Sequence, residues 1–353
     1  MEEILCGRRS VKLAFLLGLV PLLAGGVPAD DGKGVRMIYA TSERNIIALG
    51  YDQLRQTSVA LVNDEMNGRS MLRRIRGAGS VGEVIATIPR EATCSARPCT
   101  LQILSSSYLD ALVLMGTFGV GPRFRTEVYQ IPRRGGGPKL LARTRQAWRP
   151  QYPEEIDELE PGVAGFASIE TIMAAEEPTE LLVNGRLPDG SPEIKTYVLD
   201  LTSNTLTRRL EGRVIGRRPA GLIASKETTG WVELMPAQAR RAASAGTAAL
   251  LREADPAVVQ VVELNGRRAE VRRNPGIGNR TVYLRTVTRA AGQGETEGEG
   301  VPVHLPGCAI PFVAGVWPTP QGTLIIAADC EEKNTSPQRA GPTADVHRLY
   351  EVP

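Results

Sequence analysis

The fold is decided by residues 180–212, ELLVNGRLPDGSPEIKTYVLDLTSNTLTRRLEG. An apolar run ends at Gly185, and the turn formers Pro188, Asp189 and Gly190 follow it. The segments TYVLDL and TLTRRL come next, each rich in strand-forming residues and separated by a short polar turn. The stretch therefore predicts one β-strand followed by a β-hairpin.

The same order of strands and turns occurs twice upstream, in residues 45–75 and in residues 111–143. Glycine ends the first apolar run at positions 50, 116 and 185, so the copies are 66 and 69 residues apart. A nearly constant spacing of strand-rich segments indicates a repeated structural unit.

Shorter copies follow towards the C-terminus. Residues 258–273 repeat the last two strands around Asn265-Gly266, a pair that favours a hairpin turn because both central positions need a positive φ. Residues 322–330 and 346–353 supply only the first two strands of a further unit. We expect the N-terminal segment VRMIYATS, residues 35–42, to pair with the last strand and close a ring, since closure removes exposed sheet edges.

Strand-rich units of this size predict an all-β fold, a β-propeller of about five to six blades in a single domain over residues 30–353. The repeat units are about 35–78, 79–145, 146–212, 213–275 and 276–353. Residues 236–256, rich in Ala, Leu and Arg between two prolines, predict one short helical insertion. A β-sandwich or two β-domains is the alternative, because regularly spaced short strands are typical of that class as well.

Residues 195–210, KTYVLDLTSNTLTRRL, resemble the blades of exported propellers of the TolB and WD40-like family. Those blades have an IYV-D-L strand, a short turn and a basic strand. The resemblance covers the hairpins, and the spacing of about 68 residues is longer than the usual blade of that family. It implies a periplasmic or secreted propeller.

The N-terminus has the pattern of a secretory signal peptide over residues 1–29. Arg8, Arg9 and Lys12 precede a short apolar run that ends in a small-residue cleavage pattern at residues 27–29. No later segment has the roughly 20 apolar residues that a membrane-spanning helix needs. We expect an exported chain with no integral membrane segment after cleavage, and two arginines leave the general secretory and twin-arginine routes open.

Four cysteines remain after the signal peptide, an even number that suits an oxidising compartment. Cys94 and Cys99 lie in the short loop TCSARPCT, which leaves Cys308 and Cys330 for each other. The sequence therefore predicts two disulfides. A zinc site is not expected, because the spacing lacks close CxxC-like pairs.

Charge and motifs exclude several function classes. The net charge is +3 and the arginines are scattered along the sequence, so no nucleic-acid partner is expected. The segment GAGSVG, residues 77–82, has the glycine spacing of a dinucleotide-binding loop but lacks the flanking strand, helix and acidic residue. Only two histidines are present, His304 and His347, which disfavours a serine triad or a histidine metal site.

The candidate ligand site is the loop QAWRPQYPEEIDELEPG, residues 146–162. Aromatic rings offer stacking surfaces, arginine offers a planar donor, and the acidic side chains could bind Ca²⁺ or act as a carboxylate pair on a glycoside. The candidate residues are Trp148, Arg149, Tyr152, Glu154, Glu155 and Asp157. Five acidic residues within positions 154–160 are also typical of a solvated turn.

Two functions remain. The main prediction is an exported, monomeric, non-catalytic β-propeller without a cofactor that acts as a binding or scaffold module for a protein or polysaccharide, because no catalytic constellation is present. The alternative is a propeller-fold hydrolase or lyase that uses the carboxylates of the acidic loop, with Ca²⁺ as its candidate cofactor.

Overall fold

The structure is a computed structural model. It describes residues 34–76, 80–93, 101–106, 110–119, 124–133, 136–145, 161–175, 177–188, 194–210, 213–218, 221–226, 230–234, 257–274, 279–290, 294–331 and 345–353. Within these ranges the regular elements are β-strands and one single-turn 3-10 helix, Glu65–Asn67.

The described strands form four sheets, of 4, 5, 4 and 12 strands. The 12-stranded sheet divides at the parallel pairings β15–β18 and β20–β23 into three antiparallel groups, which gives six groups in all, here called blades 1 to 6. Blade 1 contains β2 (Ile46–Asp52), β3 (Thr57–Asp64), β4 (Arg69–Arg76) and β5 (Ser80–Ile88). Blade 2 contains β6 (Gln102–Ser106), β7 (Ala111–Phe118), β8 (Arg125–Pro132) and β9 (Lys139–Thr144), with β10 (Ala164–Phe166) parallel to β9. Blade 3 contains β11 (Ser168–Ala174), β12 (Glu180–Arg186), β13 (Lys195–Asp200) and β14 (Thr205–Leu210).

Blade 4 contains β15 (Arg213–Arg218), β16 (Gly221–Lys226) and β17 (Gly230–Leu234). Blade 5 contains β18 (Val258–Leu264), β19 (Arg267–Arg273), β20 (Arg280–Ala290), β21 (Gly294–Glu297) and β22 (Val301–Pro302). Blade 6 contains β23 (Pro311–Pro318), β24 (Leu324–Glu331), β25 (Asp345–Val352) and β1 (Arg36–Thr41).

The first strand of the chain completes the last blade, as the sequence predicts. β1 pairs antiparallel with β25, with Met37 opposite Tyr350 and Tyr39 opposite Leu349, and the register shifts between Met37 and Tyr39. Ile38 therefore lies at a β-bulge beside Leu349. The closing strand covers an edge of β25 that would otherwise be open to pairing with another chain.

The first strands of the blades, here called the inner strands, contact one another in a ring. Ser105 on β6 donates to Asp52 on β2, and Gln102 on β6 accepts from the backbone of β11. Between blades 3 and 4 the link comes from the second strand: Asn184 on β12 donates to the backbone of β15, which pairs parallel with β18. Gln260 on β18 donates to the β23 backbone, and Gln53 after β2 donates to Pro318 at the end of β23.

The hydrophobic core is divided in the same way. Within the described residues, buried apolar side chains form six clusters, and each lies between two neighbouring blades. Leu61 and Leu114 represent the cluster between blades 1 and 2, and Tyr39 and Trp317 belong to the cluster between blades 6 and 1. A sandwich would have its core between two facing sheets. The fold is a β-propeller, and the β-sandwich alternative was wrong.

The observed strand bounds test two details of the predicted repeat. Asn265 and Gly266 both have a positive φ, 51° and 72°, which confirms the predicted hairpin turn. Gly116 and Gly185 both lie in the second strand of their blades, but Gly50 lies in the first strand of blade 1. The first copy was therefore aligned one strand out of step, because a glycine after an apolar run marks a strand and not its order in the sheet.

Gly185 has a packing reason of its own. A Cβ at Gly185 would lie 2.3 Å from the carbonyl oxygen of Ser168 on the adjacent strand, too close for any side chain. The predicted helix over residues 236–256 lies outside the described residues, and the predicted unit boundaries stay a prediction.

Candidate site at the start of the inner strands

The two faces of the ring differ. The face at which the inner strands begin is called the upper face, and the face at which they end is called the lower face. Connections that begin and end at the lower face are short, such as 53–56, 201–204 and 265–266. At the upper face, β5 ends and β6 begins 13 residues apart in the sequence, with residues 89–101 between them, and the same separation, residues 332–344, divides the end of β24 from the start of β25. Long loops on a rigid scaffold commonly carry the binding residues.

Three arginines of blades 4 and 5 are brought together at the upper face. Arg213 is the first residue of β15, and Arg280 is the first residue of β20. Arg273, the last residue of β19, lies directly opposite Arg280 in the antiparallel register. The backbone N–H of Arg273 donates to Ala257, which precedes β18, the parallel partner of β15. We call Arg213, Arg273, Arg280 and the acidic Glu170 of β11 the arginine cluster.

The cluster has one carboxylate for three guanidinium groups. Nη2 of Arg213 lies 3.1 Å from Oε2 of Glu170. The Nε atoms of Arg213 and Arg280 are buried and have no acceptor among the described residues. Burial lowers the pKa of Arg280 to about 10, and the charges of Arg273 and Arg213 act in the same direction, against Glu170. The cluster therefore concentrates positive charge that the described residues balance only in part.

A buried amide lies beside the cluster. Asn279 precedes Arg280, is 7% exposed, and its Oδ1 has no donor among the described residues. Its backbone oxygen accepts from Asn274, whose side chain donates to Thr281 at 3.0 Å. This turn holds Asn279 next to Arg280 while its amide group keeps unused hydrogen-bonding capacity.

A small cavity of about 60 Å³ lies along the axis of the ring, one residue deeper than the cluster. Thr171, the neighbour of Glu170, lines it together with Gln102, Gln260 and Trp317. The indole N–H of Trp317 on β23 donates to Ile103 on β6 at 3.1 Å and joins the two sides of the ring. The cavity has room for a few water molecules, so it cannot enclose a larger ligand.

A second charged group at the upper face is more deeply buried. Glu127 on β8 is fully buried; the hydroxyl of Tyr129 donates to it at 2.5 Å, and Arg90 of the 89–101 connection lies 3.1 Å away. Burial raises the pKa of the Glu127 carboxyl despite the hydrogen bond from Tyr129 and the nearby arginines Arg90, Arg143 and Arg125. Because no part of Glu127 reaches solvent, this group fixes the connection to blade 2.

At the lower face, Asp52 and Arg133 join blades 1 and 2. Nη2 of Arg133 lies 3.0 Å from Oδ1 of Asp52, and the side chains are 6% and 1% exposed. The same oxygen accepts from the Ser105 hydroxyl at 2.7 Å. The pair is a structural link between blades.

The predicted loop site is not tested by this geometry. The residues predicted there, Trp148, Arg149, Tyr152, Glu154, Glu155 and Asp157, lie outside the described residues. Among the residues that the structure describes, no group of three His, Cys, Asp or Glu side chains is placed to hold a metal ion. The Ca²⁺ hypothesis therefore stays a prediction.

One of the two predicted disulfides is confirmed. Cys308 and Cys330 are bonded, with their Cα atoms 5.2 Å apart, and both residues are buried. The bond joins the segment before β23 to the end of β24. Cys94 and Cys99 lie outside the described residues, and so does the signal peptide predicted over residues 1–29.

The arginine cluster was missed by the sequence analysis, which treated the arginines as scattered. Its members are far apart in the sequence, at positions 170, 213, 273 and 280. The parallel pairing of β15 with β18 brings them together. The strand bounds provide a signal once they are known. Arg213 and Arg280 are each the first residue of a strand, a position that places a side chain at a face of a propeller.

No protein-family model and no curated protein matches this chain. Among solved structures, an endo-arabinase from Bacteroides thetaiotaomicron VPI-5482 is similar at a TM-score of 0.39 and 11% identity, over 90% of this chain and 96% of that chain. The fission yeast SREBP-SCAP binding domains are similar at a TM-score of 0.35 and 9% identity, over 74% of this chain and 68% of that chain. Both likenesses are too weak to carry a function. The resemblance to TolB and WD40-like propellers stays a prediction.

No helix in the described part of the chain is long and apolar enough to cross a membrane.

Proposed function

We propose that this protein is an exported, non-catalytic β-propeller that binds a polysaccharide or protein partner at its upper face. The observation that carries the proposal is the difference between the two faces. The described lower-face hairpins are short, whereas the strands that flank residues 89–101 and 332–344 have their facing ends at the upper face, which also holds the incompletely balanced arginine cluster. A rigid ring that presents long connections on one face is a common arrangement for recognition.

The closed axis supports binding at the surface over passage through the ring. Trp317 bridges to β6 across the axis, and the cavity beneath the cluster is about 60 Å³. Small-molecule pockets typically have volumes of roughly 300–1,000 Å³. The cavity volume therefore favours a partner that binds at the surface of the ring.

The test compares one exposed residue on each face. Met66, on the turn between β3 and β4, is at the upper face and 97% exposed, and Leu54, between β2 and β3, is at the lower face and 46% exposed. An array of neutral and acidic glycans first identifies polysaccharides that bind the wild-type protein. Their affinities are then measured for the Met66→Glu and Leu54→Glu variants. We expect only Met66→Glu to weaken binding. Loss confined to Leu54→Glu contradicts the proposal.

A protein partner is tested with the same two positions. A photo-cross-linking residue at Met66 should capture the partner, and one at Leu54 should not. Cross-links formed only from Leu54 place the partner on the opposite face and overturn the proposal.

A propeller-fold hydrolase or lyase is the second candidate. The carboxylates that motivate it lie in residues 154–160, outside the described residues, and inverting or retaining hydrolysis needs two carboxyl groups about 5–10 Å apart. The discriminating measurement is the release of reducing ends from the array polysaccharides, arabinan included, with and without Ca²⁺. Catalytic release that is abolished by Glu154→Gln or Glu155→Gln establishes the hydrolase and replaces the proposal of a non-catalytic module.

A further inference from the structure

The arginine cluster has the composition of an anion site. Arg273 and Arg280 lie directly opposite each other on adjacent strands, and like charges in that position destabilise a sheet. Arg213 approaches from the parallel neighbour of β18 and has the carboxylate of Glu170 at 3.1 Å. One acidic group cannot neutralise three guanidinium groups, so a bound anion would relieve a repulsion that the described residues leave in place.

The donors that remain open suit an oxyanion. Nε of Arg213 and Nε of Arg280 are buried without an acceptor among the described residues. A guanidinium group presents parallel N–H donors that match the two oxygens of a carboxylate or sulfate group. Asn279 is 7% exposed, and the atom it leaves without a partner among the described residues is its acceptor oxygen Oδ1, so it adds no donor to the set.

We propose that Arg213, Arg273 and Arg280 bind an oxyanion group of the ligand, such as the carboxylate of an acidic sugar or a sulfate ester. The inference deepens the proposed function, on which it rests, by naming the chemistry that the upper face recognises. Glu170 orients Arg213 through their ion pair and limits the site to one anionic group. The cavity beneath the cluster is too small for a sugar ring, so only the oxyanion end of the ligand approaches the inner strands.

The experiment measures binding of three probes by titration calorimetry at constant ionic strength. The probes are sodium sulfate, inorganic phosphate and sodium glucuronate, with sodium chloride as the balancing salt. We expect one binding site per chain, and Arg280→Gln should weaken it at least tenfold. Tighter binding of glucuronate than of sulfate and phosphate identifies a carboxylate ligand, and the reverse order identifies a sulfate or phosphate group.

Arg74→Gln is the matched control. Arg74 is a partly buried arginine on β4 that pairs with the exposed Glu83 in blade 1, away from the arginine cluster, so its loss should leave anion binding unchanged. If Arg280→Gln does not fold, Arg273→Gln replaces it, because Arg273 is an exposed residue whose substitution leaves the core intact. Equal affinities of the wild-type protein, Arg280→Gln and Arg273→Gln for all three probes overturn the site.

Failure of this inference can be told from failure of the proposed function. A polysaccharide that binds the wild-type protein and Arg280→Gln equally, but binds Met66→Glu less well, leaves the upper face as the docking face and contradicts the oxyanion site alone. A partner that responds only to Leu54→Glu contradicts the docking face, whatever the probes show.

Discussion

Arg36 in the first strand and Glu351 in the last strand lie opposite each other and form an ion pair, with Nη2 and Oε2 2.5 Å apart. Their side chains are 69% and 29% exposed, whereas Leu349 two residues earlier is fully buried against Tyr39 and Ala327. Closure of the ring therefore has a charged, solvated contact and an apolar, buried one, and their contributions to stability can be separated.

We expect the apolar contact to dominate. Leu349→Ala should lower the free energy of unfolding by about 2–5 kcal/mol, because it leaves a cavity between blades 6 and 1. Arg36→Ala should lower it by less than about 1 kcal/mol, since an exposed ion pair is screened by water and salt. Urea denaturation monitored by tryptophan fluorescence gives both values. Equal losses would show that the ion pair, and not burial, holds the closing strand.

Breaking the buried Asp52–Arg133 pair between blades 1 and 2 should lower the free energy of unfolding far more than breaking an exposed pair. Arg133→Gln leaves the Asp52 carboxylate, 1% exposed, without its cationic partner, and we expect a loss of about 3–5 kcal/mol. The control is Arg74→Gln, which removes the partner of the exposed Glu83 and should cost less than about 1 kcal/mol. The same denaturation measurement applies. A loss below 1 kcal/mol for Arg133→Gln is incompatible with a structural link between the blades.

The buried Glu127 carboxyl predicts a specific pH dependence. Its pKa is raised in the folded protein by burial, so the folded state holds this proton more tightly than the unfolded state. The contribution of Glu127 to stability is thus greatest below its ordinary pKa of 4.5, and it falls as the pH rises through the raised value. Glu127→Gln keeps the acceptor for the Tyr129 hydroxyl but removes the ionisation.

Stability of the wild-type protein minus that of Glu127→Gln should therefore decrease as the pH rises from 4 towards neutrality. Thermal unfolding across this range, with Glu83→Gln as the exposed control, measures the difference. A difference that stays constant or increases with pH contradicts a raised pKa for Glu127, and it would indicate that the arginines around it outweigh its burial.

The Cys308–Cys330 bond closes a loop with a sequence separation of 22 residues. Replacing both residues with alanine should lower the free energy of unfolding by about 3 kcal/mol, because the unfolded chain regains the freedom that the bond removes. Peptide mapping without reduction should recover the 308–330 link. The same mapping tests the predicted bond between Cys94 and Cys99. Two free thiols in the unreduced mature protein would contradict that bond.

The sequence allowed the fold class and the closing strand to be predicted, because both depend on local patterns. Alternating strands and the Asn265-Gly266 turn specify hairpins, and a unit that lacks one strand specifies its missing partner. The alignment of Gly50 with Gly116 was wrong, since the pattern within a strand does not say whether that strand is first or second in its blade. Only the pairing of β2 with β3 and of β6 with β7 resolves this.

The candidate site could not be predicted in the same way. Arg213 reaches Arg280 and Arg273 through parallel pairing between blades, and nothing in the linear sequence links these three positions until the strand bounds are known. The acidic loop was conspicuous because its charges are adjacent in the chain. Charges that are distant in the chain and adjacent in the fold are visible only once the order of the strands is known.

Pairing of Arg36 with a residue 315 positions later has a consequence for biosynthesis. During synthesis, β1 leaves the ribosome long before its partner β25. A segment that emerges early is therefore among the last to pair with its native neighbour. Until then β2 to β5 can assemble as a hairpin series while the first strand waits, and its unpaired edge is available to other nascent chains or to chaperones. Such long-range closure makes folding slow relative to proteins with local contacts.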